Sequence, residues 1–346
     1  MRDDFSIKNQ IESSPALKSR TKDYDDFWTL DFAGVLNIND NLIEADVLRI
    51  KNNGLINQIQ FGRKFNVDEQ TLRLLNDAIL NSNNLTLLRT TFNGFGAFND
   101  LQFLKHLSNL KSFGFAAFSK IDLTPIKDYV ELSNFGLGGY NIPLKPIEDN
   151  SHITSFGFGE KIKDLEIISS FKNLESLAIS SQNLKSLEFI EPLKKLKKLS
   201  FSFGGTIAFD DLSLSENIAD IDIWRTKKLE MAHLAPLNDV RNLKCLKLRE
   251  LPRIHDFHWL RNPSLQTLVI EELKGLKTFD SLKSVKNVKT LVIKSRLDKA
   301  KILSLGGLTN FESIQIYKWY LDNQFKSLAR LPNWDRIKEI EAIYLK

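Results

Sequence analysis

One pattern governs what this chain can fold into: apolar-x-x-apolar-x-apolar recurs along most of its 346 residues. Copies begin at Ile56, Leu85 (with Thr90 in the third apolar place), Leu110, Leu132, Ile153, Leu174, Leu196, Ile218, Leu243, Leu265, Val288 and Phe311. A degenerate thirteenth copy at Ile337 has Ala342 in its third place. Successive starts lie 21 to 29 residues apart, most often 22. Seven copies carry Asn immediately before the first apolar residue: Asn84, Asn109, Asn173, Asn217, Asn242, Asn287 and Asn310.

The physics of one copy says why copies must stack. In Leu174, Leu177 and Ile179 the last two are one strand alternation apart, so they share a face while Ala178 and Ser180 point the other way. A second apolar set follows within the unit, as in Leu184, Leu187 and Ile190. Two apolar edges in so short a unit are buried only when neighbouring units are laid one on another. The expected product is a solenoid with a parallel sheet along one side.

These residues resemble leucine-rich repeats over about residues 50 to 346, and their spacing is similar to the short 22-residue subclass of internalin-like proteins and intracellular phosphatase regulators. The resemblance implies an α/β repeat horseshoe with a parallel β-sheet on the concave side. About 13 residues separate one strand from the next, too few for a long helix, so 3₁₀ or irregular turns are expected on the convex side. The family's ninth-position Asn is replaced by Gln182, Gly204, Thr226, Leu251 and Leu273, which argues against a regular asparagine ladder there. Phe113, Phe115, Phe135, Phe156, Phe158 and Phe201 predict an aromatic core.

Terminal repeats need covers. Residues 1–50 are expected to be an N-terminal segment and cap, with Phe27, Leu30 and Phe32 in irregular strands. The solenoid is expected over 51–316 and a last degenerate repeat with its cap over 317–346, where Trp319, Leu321, Phe325, Leu328, Leu331 and Trp334 supply the cover. The longest spacing holds a predicted helix at about 67–81, where Asn66 and Glu69 resemble a capping box and Leu72, Leu75, Ile79 and Leu80 form a stripe.

Composition excludes disorder and collagen: 42% of residues are apolar and 26% charged. A lone cysteine, Cys245, makes no internal disulfide and no thiolate zinc site, which fits a reducing compartment. A charged start and the lack of a long apolar run predict neither signal peptide nor membrane contact, and a cytoplasmic location. The net charge of +5 names no partner, but residues 1–50 carry −4 and residues 251–300 carry +5.

No catalytic motif stands out, so no enzyme activity, cofactor or metal is expected. Gly136, Gly138 and Gly139 lie in and after a repeat strand, not at a strand-to-helix turn that holds a dinucleotide. His255 and His258 have no evident third ligand. Some bacterial leucine-rich repeat proteins carry a ubiquitin-ligase domain with a catalytic cysteine after the repeats. Cys245 instead lies inside a repeat strand, and the repeats run nearly to Lys346.

The third, fifth, seventh and eighth places of each unit are expected on the concave face. Between Ser112 and Ser181 they form a nearly bare floor of Gly, Ser and Ala, interrupted only by Asn134 and Glu160, suited either to close approach of a ligand or to relief of crowding. Further along they turn aromatic and charged. The predicted partner-binding residues are Phe203, Asp222, Trp224, Arg225, Lys247, Arg249, Glu250, Glu271, Tyr317 and Lys318. The lysines at 274, 277, 283, 286, 289 and 299 are expected on turns and the outer side, as a flank that steers an acidic partner rather than a nucleic-acid groove. The reading is a monomeric, non-enzymatic module that binds a protein partner, in its finer form a bacterial inhibitor or immunity protein. The alternatives are a scaffold acting through its convex or terminal surfaces, or a small-ligand binder over the floor.

Overall fold

The computed structural model describes residues 17–19, 35–38, 40–51, 58–61, 66–81, 87–91, 98, 100–117, 120–207, 209–317 and 328–340. The chain divides into two compact units, Met1–Phe171 and Lys172–Lys346.

In the first unit, Leu17–Ser19 (β1) pairs antiparallel with Val35–Ile38 (β2). From β2 onward the pairing is parallel through Gln58–Phe61 (β3), Leu87–Thr91 (β4), Ser112–Ala117 (β5), Asn134–Pro143 (β6) and Ser155–Lys163 (β7). Register follows the repeat: Phe113, Phe135 and Phe156 lie side by side, as do Phe115, Leu137 and Phe158. These rings and those of Phe61, Phe98, Phe103 and Phe171 form one chain of aromatic contacts with centroids 3.8–5.9 Å apart. Between strands run short 3₁₀ turns, Gln102–His106, Lys145–Ile147 and Leu165–Ser170.

The insertion after β3 is α-helical over Glu69–Arg73 and continues as a π-helix over Leu74–Leu80. Leu74 and Leu75 recur as Ile79 and Leu80 five residues later, and i→i+5 bonding keeps both pairs on the buried side. Asp68, not Asn66, caps this helix: it directly precedes the first helical residue, and its Oδ1 accepts the Thr71 amide at 2.7 Å.

Burial pushes the Tyr129 phenol up to about 12, against the lowering effect of the Leu110 amide donated to its Oη at 3.0 Å. Because the folded state disfavours the phenolate, this contribution is whole below the unfolded value near 10 and is lost as pH rises through about 12. Urea midpoints measured from pH 9 to 12 should therefore fall more steeply for the natural protein than for Tyr129→Phe; parallel curves would refute the assignment.

The second unit is a parallel stack. Its strands are Ser176–Ser180 (β8), Lys198–Ser202 (β9), Asp220–Trp224 (β10), Cys245–Arg249 (β11), Thr267–Glu271 (β12), Thr290–Lys294 (β13), Ser313–Tyr317 (β14) and Ile337–Ile340 (β15). Each pairs with the next in parallel. The core side holds Leu199 and Phe201, Ile221 and Ile223, Leu246 and Leu248, and their counterparts to Ile314 and Ile316, all buried. Turns of 3₁₀ type cross the other edge at Glu188–Ile190, Asp210–Leu214, Ala235–Asp239 and Asp280–Ser284. Strand alternation, parallel register and 3₁₀ turns together make this a leucine-rich-repeat solenoid.

The last copy starts three residues earlier than expected. Ile337 pairs with Ile314, the fourth place of its unit, so Trp334 occupies the first place and Asn333 precedes it. Asn310 and Asn333 then do the same work: each Nδ2 donates to the carbonyls six and three residues before the preceding copy's first place, Leu282 and Val285, and Leu305 and Leu308. Asn262 reaches the equivalent carbonyls of Leu237 and Val240 from two places earlier in its unit. An asparagine ladder thus exists at the turns instead of the ninth place, where the Gln182 Nε2 and Thr226 Oγ1 atoms are buried without partners. Phe27, Leu30, Phe32, Trp319, Leu321 and Phe325 lie outside the described residues, while Leu328 is fully buried.

Candidate functional site

Because the fourth and sixth places face the core, the third, fifth and seventh must face outward; on β9, β10, β11 and β14 they are at least partly exposed, while Val269 and Val292, the fifth places of β12 and β13, are buried. Parallel register sets equal places of neighbouring strands side by side: Asp222, Lys247, Val269, and Trp224, Arg249, Glu271, Lys294.

That adjacency builds a network. Lys247 Nζ lies 3.0 Å from Asp220 Oδ2, and Arg249 bridges Asp222 Oδ2 at 3.0 Å and Glu271 Oε2 at 3.2 Å. Lys294 Nζ approaches Glu271 at 3.9 Å and stands 4.5 Å above the Tyr317 ring. Arg225 Nε bonds Glu250 Oε2 at 2.7 Å, and Trp224 Nε1 donates to Glu250 Oε1 at 3.0 Å. The Arg249 and Arg225 guanidiniums lie 4.7 and 5.2 Å from the Trp224 ring centre. Burial works against the Lys247 ammonium, but the Asp220 carboxylate outweighs it and holds its pKa above the ordinary value. Arg249 is likewise held up against burial by Asp222 and Glu271. Cys245 is different: burial, with Asp220, pushes its thiol up to about 11, which makes it a poor nucleophile at neutral pH.

The eighth place carries a feature that no sequence signal announced. Ser181, Phe203, Arg225, Glu250 and Glu272 all hold left-handed backbone, with φ from 46 to 56°. In each, the amide still donates to the next strand, as from Phe203 to the Trp224 carbonyl at 3.1 Å and from Glu250 to the Glu271 carbonyl at 2.8 Å. The reversal swings these side chains over the end of the sheet, where Phe203 meets Trp224 at 4.5 Å between ring centres.

Of the sequence-selected residues, the structure gathers Phe203, Asp222, Trp224, Arg225, Lys247, Arg249, Glu250 and Glu271 into one contiguous patch, with Tyr317 joined through Lys294. Lys318 lies outside the described residues. The selection omitted Asp220 and Lys294, although opposite charges at neighbouring places of consecutive copies would have found both. The six flank lysines from Lys274 to Lys299 are exposed, and Lys283 and Lys289 pair with Asp280 and Glu312.

In the first unit the bare floor is not a packing necessity throughout. A Cβ on Gly136 or Gly138 would meet its neighbours at ordinary distances of 3.5 and 3.6 Å. Gly139 differs, with φ +149° and the Ala117 carbonyl oxygen 2.3 Å from where a Cβ would stand. Among the described residues no group of three or more His, Cys, Asp or Glu is placed to hold a metal, and no helix is long and apolar enough to cross a membrane.

No protein-family model matches the chain, and no curated protein matches it by sequence. Among solved structures it is similar to an internalin (inlF) from Listeria monocytogenes at 15% identity and a TM-score of 0.44, covering 88% of this chain and 85% of that one. Internalin C2 from the same organism gives 13% and 0.35, over 56% of this chain and 80% of that one. A structure described as a TLR13–ssRNA13 complex gives 17% and 0.41, over 78% of this chain and 47% of that one. No superposition reaches one half, so the assignment rests on the chain's own features. By its spacing, register and turns, the fold is a leucine-rich-repeat solenoid.

Proposed function

We propose that the protein is a non-enzymatic binding module that recognises another protein through the open sheet face of its second unit. The supporting observation is the patch itself. Four acids (Asp220, Asp222, Glu250, Glu271) and four bases (Arg225, Lys247, Arg249, Lys294) hold one another at side-chain exposures of 17–29%. Side chains already ordered and paired lose little freedom on docking, and a partner meets aromatic and Arg anchors on a rigid sheet. Asp222 Oδ1 is enclosed in the network with no hydrogen-bond donor. Repeat solenoids offer extended faces of this kind for binding.

The finer form of this reading is a cytoplasmic, monomeric inhibitor or immunity protein that neutralises a toxin or enzyme, built on the short 22-residue repeat subclass. The test compares the natural protein with a Trp224→Ala, Arg249→Ala double variant as bait in a lysate of the source cells, scored by quantitative mass spectrometry. A specific partner should be recovered by the natural protein and reduced at least about tenfold by the variant, the effect of losing about 1.4 kcal/mol. Equal recovery of every protein by both baits sinks the proposed face.

A further inference from the structure

The open face of the second unit changes height between β9 and β10. On β8 and β9 the fifth and seventh places are Ala178, Ser180, Ser200 and Ser202; on β10 and β11 they are Asp222, Trp224, Lys247 and Arg249. Phe203 stands at the end of β9 against Trp224, 39% exposed, with φ +56°. That backbone costs a bulky L-residue about 1–2 kcal/mol, which glycine avoids. Ser181, Arg225, Glu250 and Glu272 share that backbone, so what marks Phe203 for use is a large apolar ring left exposed at the end of the sheet.

The wall behind it is electrically closed, since every cation there has a carboxylate and both guanidiniums lie near the aromatic rings. The shelf in front has one open charge. Lys198, third place of β9, is exposed, and its ammonium has no partner among the described residues. Its lateral neighbour Asp220 is committed to Lys247.

Building on the protein-binding reading above, we propose that this shelf receives a polypeptide segment of a partner protein, one apolar side chain against Phe203 and Trp224 and one carboxylate on Lys198. Lys198 and Phe203 are five residues apart, about 16 Å along the chain direction. An extended segment covers that in about five residues and a helix in about eleven. Two strands give a width of about 10 Å, that of one such segment. Nucleic acid fits poorly, because one open cation neutralises one phosphate and, among the described residues, the shelf presents no row of open rings for successive bases.

The test pans a random-peptide phage library on the full-length protein and titrates synthetic copies of the enriched peptides by fluorescence anisotropy against the natural protein, Lys198→Glu and Phe203→Ser. Thermal melts establish that both variants are folded. Enriched peptides should pair an apolar or aromatic residue with Asp or Glu about five or about eleven positions away. They should bind each variant about tenfold or more weakly, and an acid-to-lysine change in the peptide should restore binding to Lys198→Glu. No enrichment, peptides without the acid, or equal affinity for Lys198→Glu overturns the proposal, as does a single-stranded RNA oligonucleotide whose binding depends on Lys198. Should a cellular partner be lost with the Trp224→Ala, Arg249→Ala protein but kept by Lys198→Glu and Phe203→Ser, the protein-binding reading stands and the shelf falls. Should all variants keep it, both fall.

Discussion

Phe156→Ala should lower unfolding stability by about 3–5 kcal/mol, the usual cost of deleting a buried aromatic ring and leaving a cavity. Phe156 is 1% exposed and packs between Phe135, Phe158 and Phe171, with ring centres 5.5–5.7 Å away. It is the ring at which the aromatic chain branches to Phe158 and Phe171, so collapse around the gap is resisted on several sides. The contrast is Phe203→Gly, where relief of the left-handed strain, about 1–2 kcal/mol, offsets the lost ring contact with Trp224, about 0.5–1.5 kcal/mol. Urea titrations followed by circular dichroism should show a large fall for the first variant and a change within about 1.5 kcal/mol for the second. Similar losses in both would mean that Phe203 is a core residue and not a contact residue.

Gly204→Ala should cost about 3 kcal/mol, the upper end of the range for overpacking. A Cβ there would stand 2.3 Å from the Gln182 carbonyl oxygen and 3.0 Å from its amide nitrogen. Neither atom can yield cheaply, because the same carbonyl accepts the Gly205 amide at 2.9 Å and the Thr206 hydroxyl at 3.0 Å. The displacement would fall on the residue after Phe203, so binding at the shelf should fall together with the melting temperature. Gly136→Ala, which meets nothing closer than 3.5 Å, is the control and should melt within about 2 °C of the natural protein. An unchanged melting temperature for Gly204→Ala would show that the Gln182 segment moves freely.

Much of the architecture was legible because one periodicity governs it. Alternation in Leu177 and Ile179 or Ile221 and Ile223 tells core from open face with no reference to structure, and the repeat length tells which residues become neighbours. What escaped were features set by a single local geometry. Asp68 is the helix cap because it directly precedes Glu69 and its Oδ1 accepts the Thr71 amide three residues on, a geometry set by where the helix starts. The last copy is displaced by three residues because Ile337 is a fourth-place residue that looks like a first-place one in sequence, while Trp334 holds the first place. The left-handed eighth place was invisible because Phe, Arg and Glu carry none of the Gly or Asn preference that marks such backbone. The patch itself was half legible: its residue types were evident, but the choice of partners, such as Arg249 taking both Asp222 and Glu271, depends on side-chain reach across strands.

The left-handed eighth place separates two jobs that a strand residue usually performs together. Its amide completes the ladder to the next strand, while its side chain is turned away from the alternation that fills the core. Residues 181, 203, 225, 250 and 272 are therefore positions where sequence can drift without repacking the repeats. A lineage under pressure to follow a changing partner would accumulate its substitutions there first, and a designer wishing to retarget the face would begin with the same five residues.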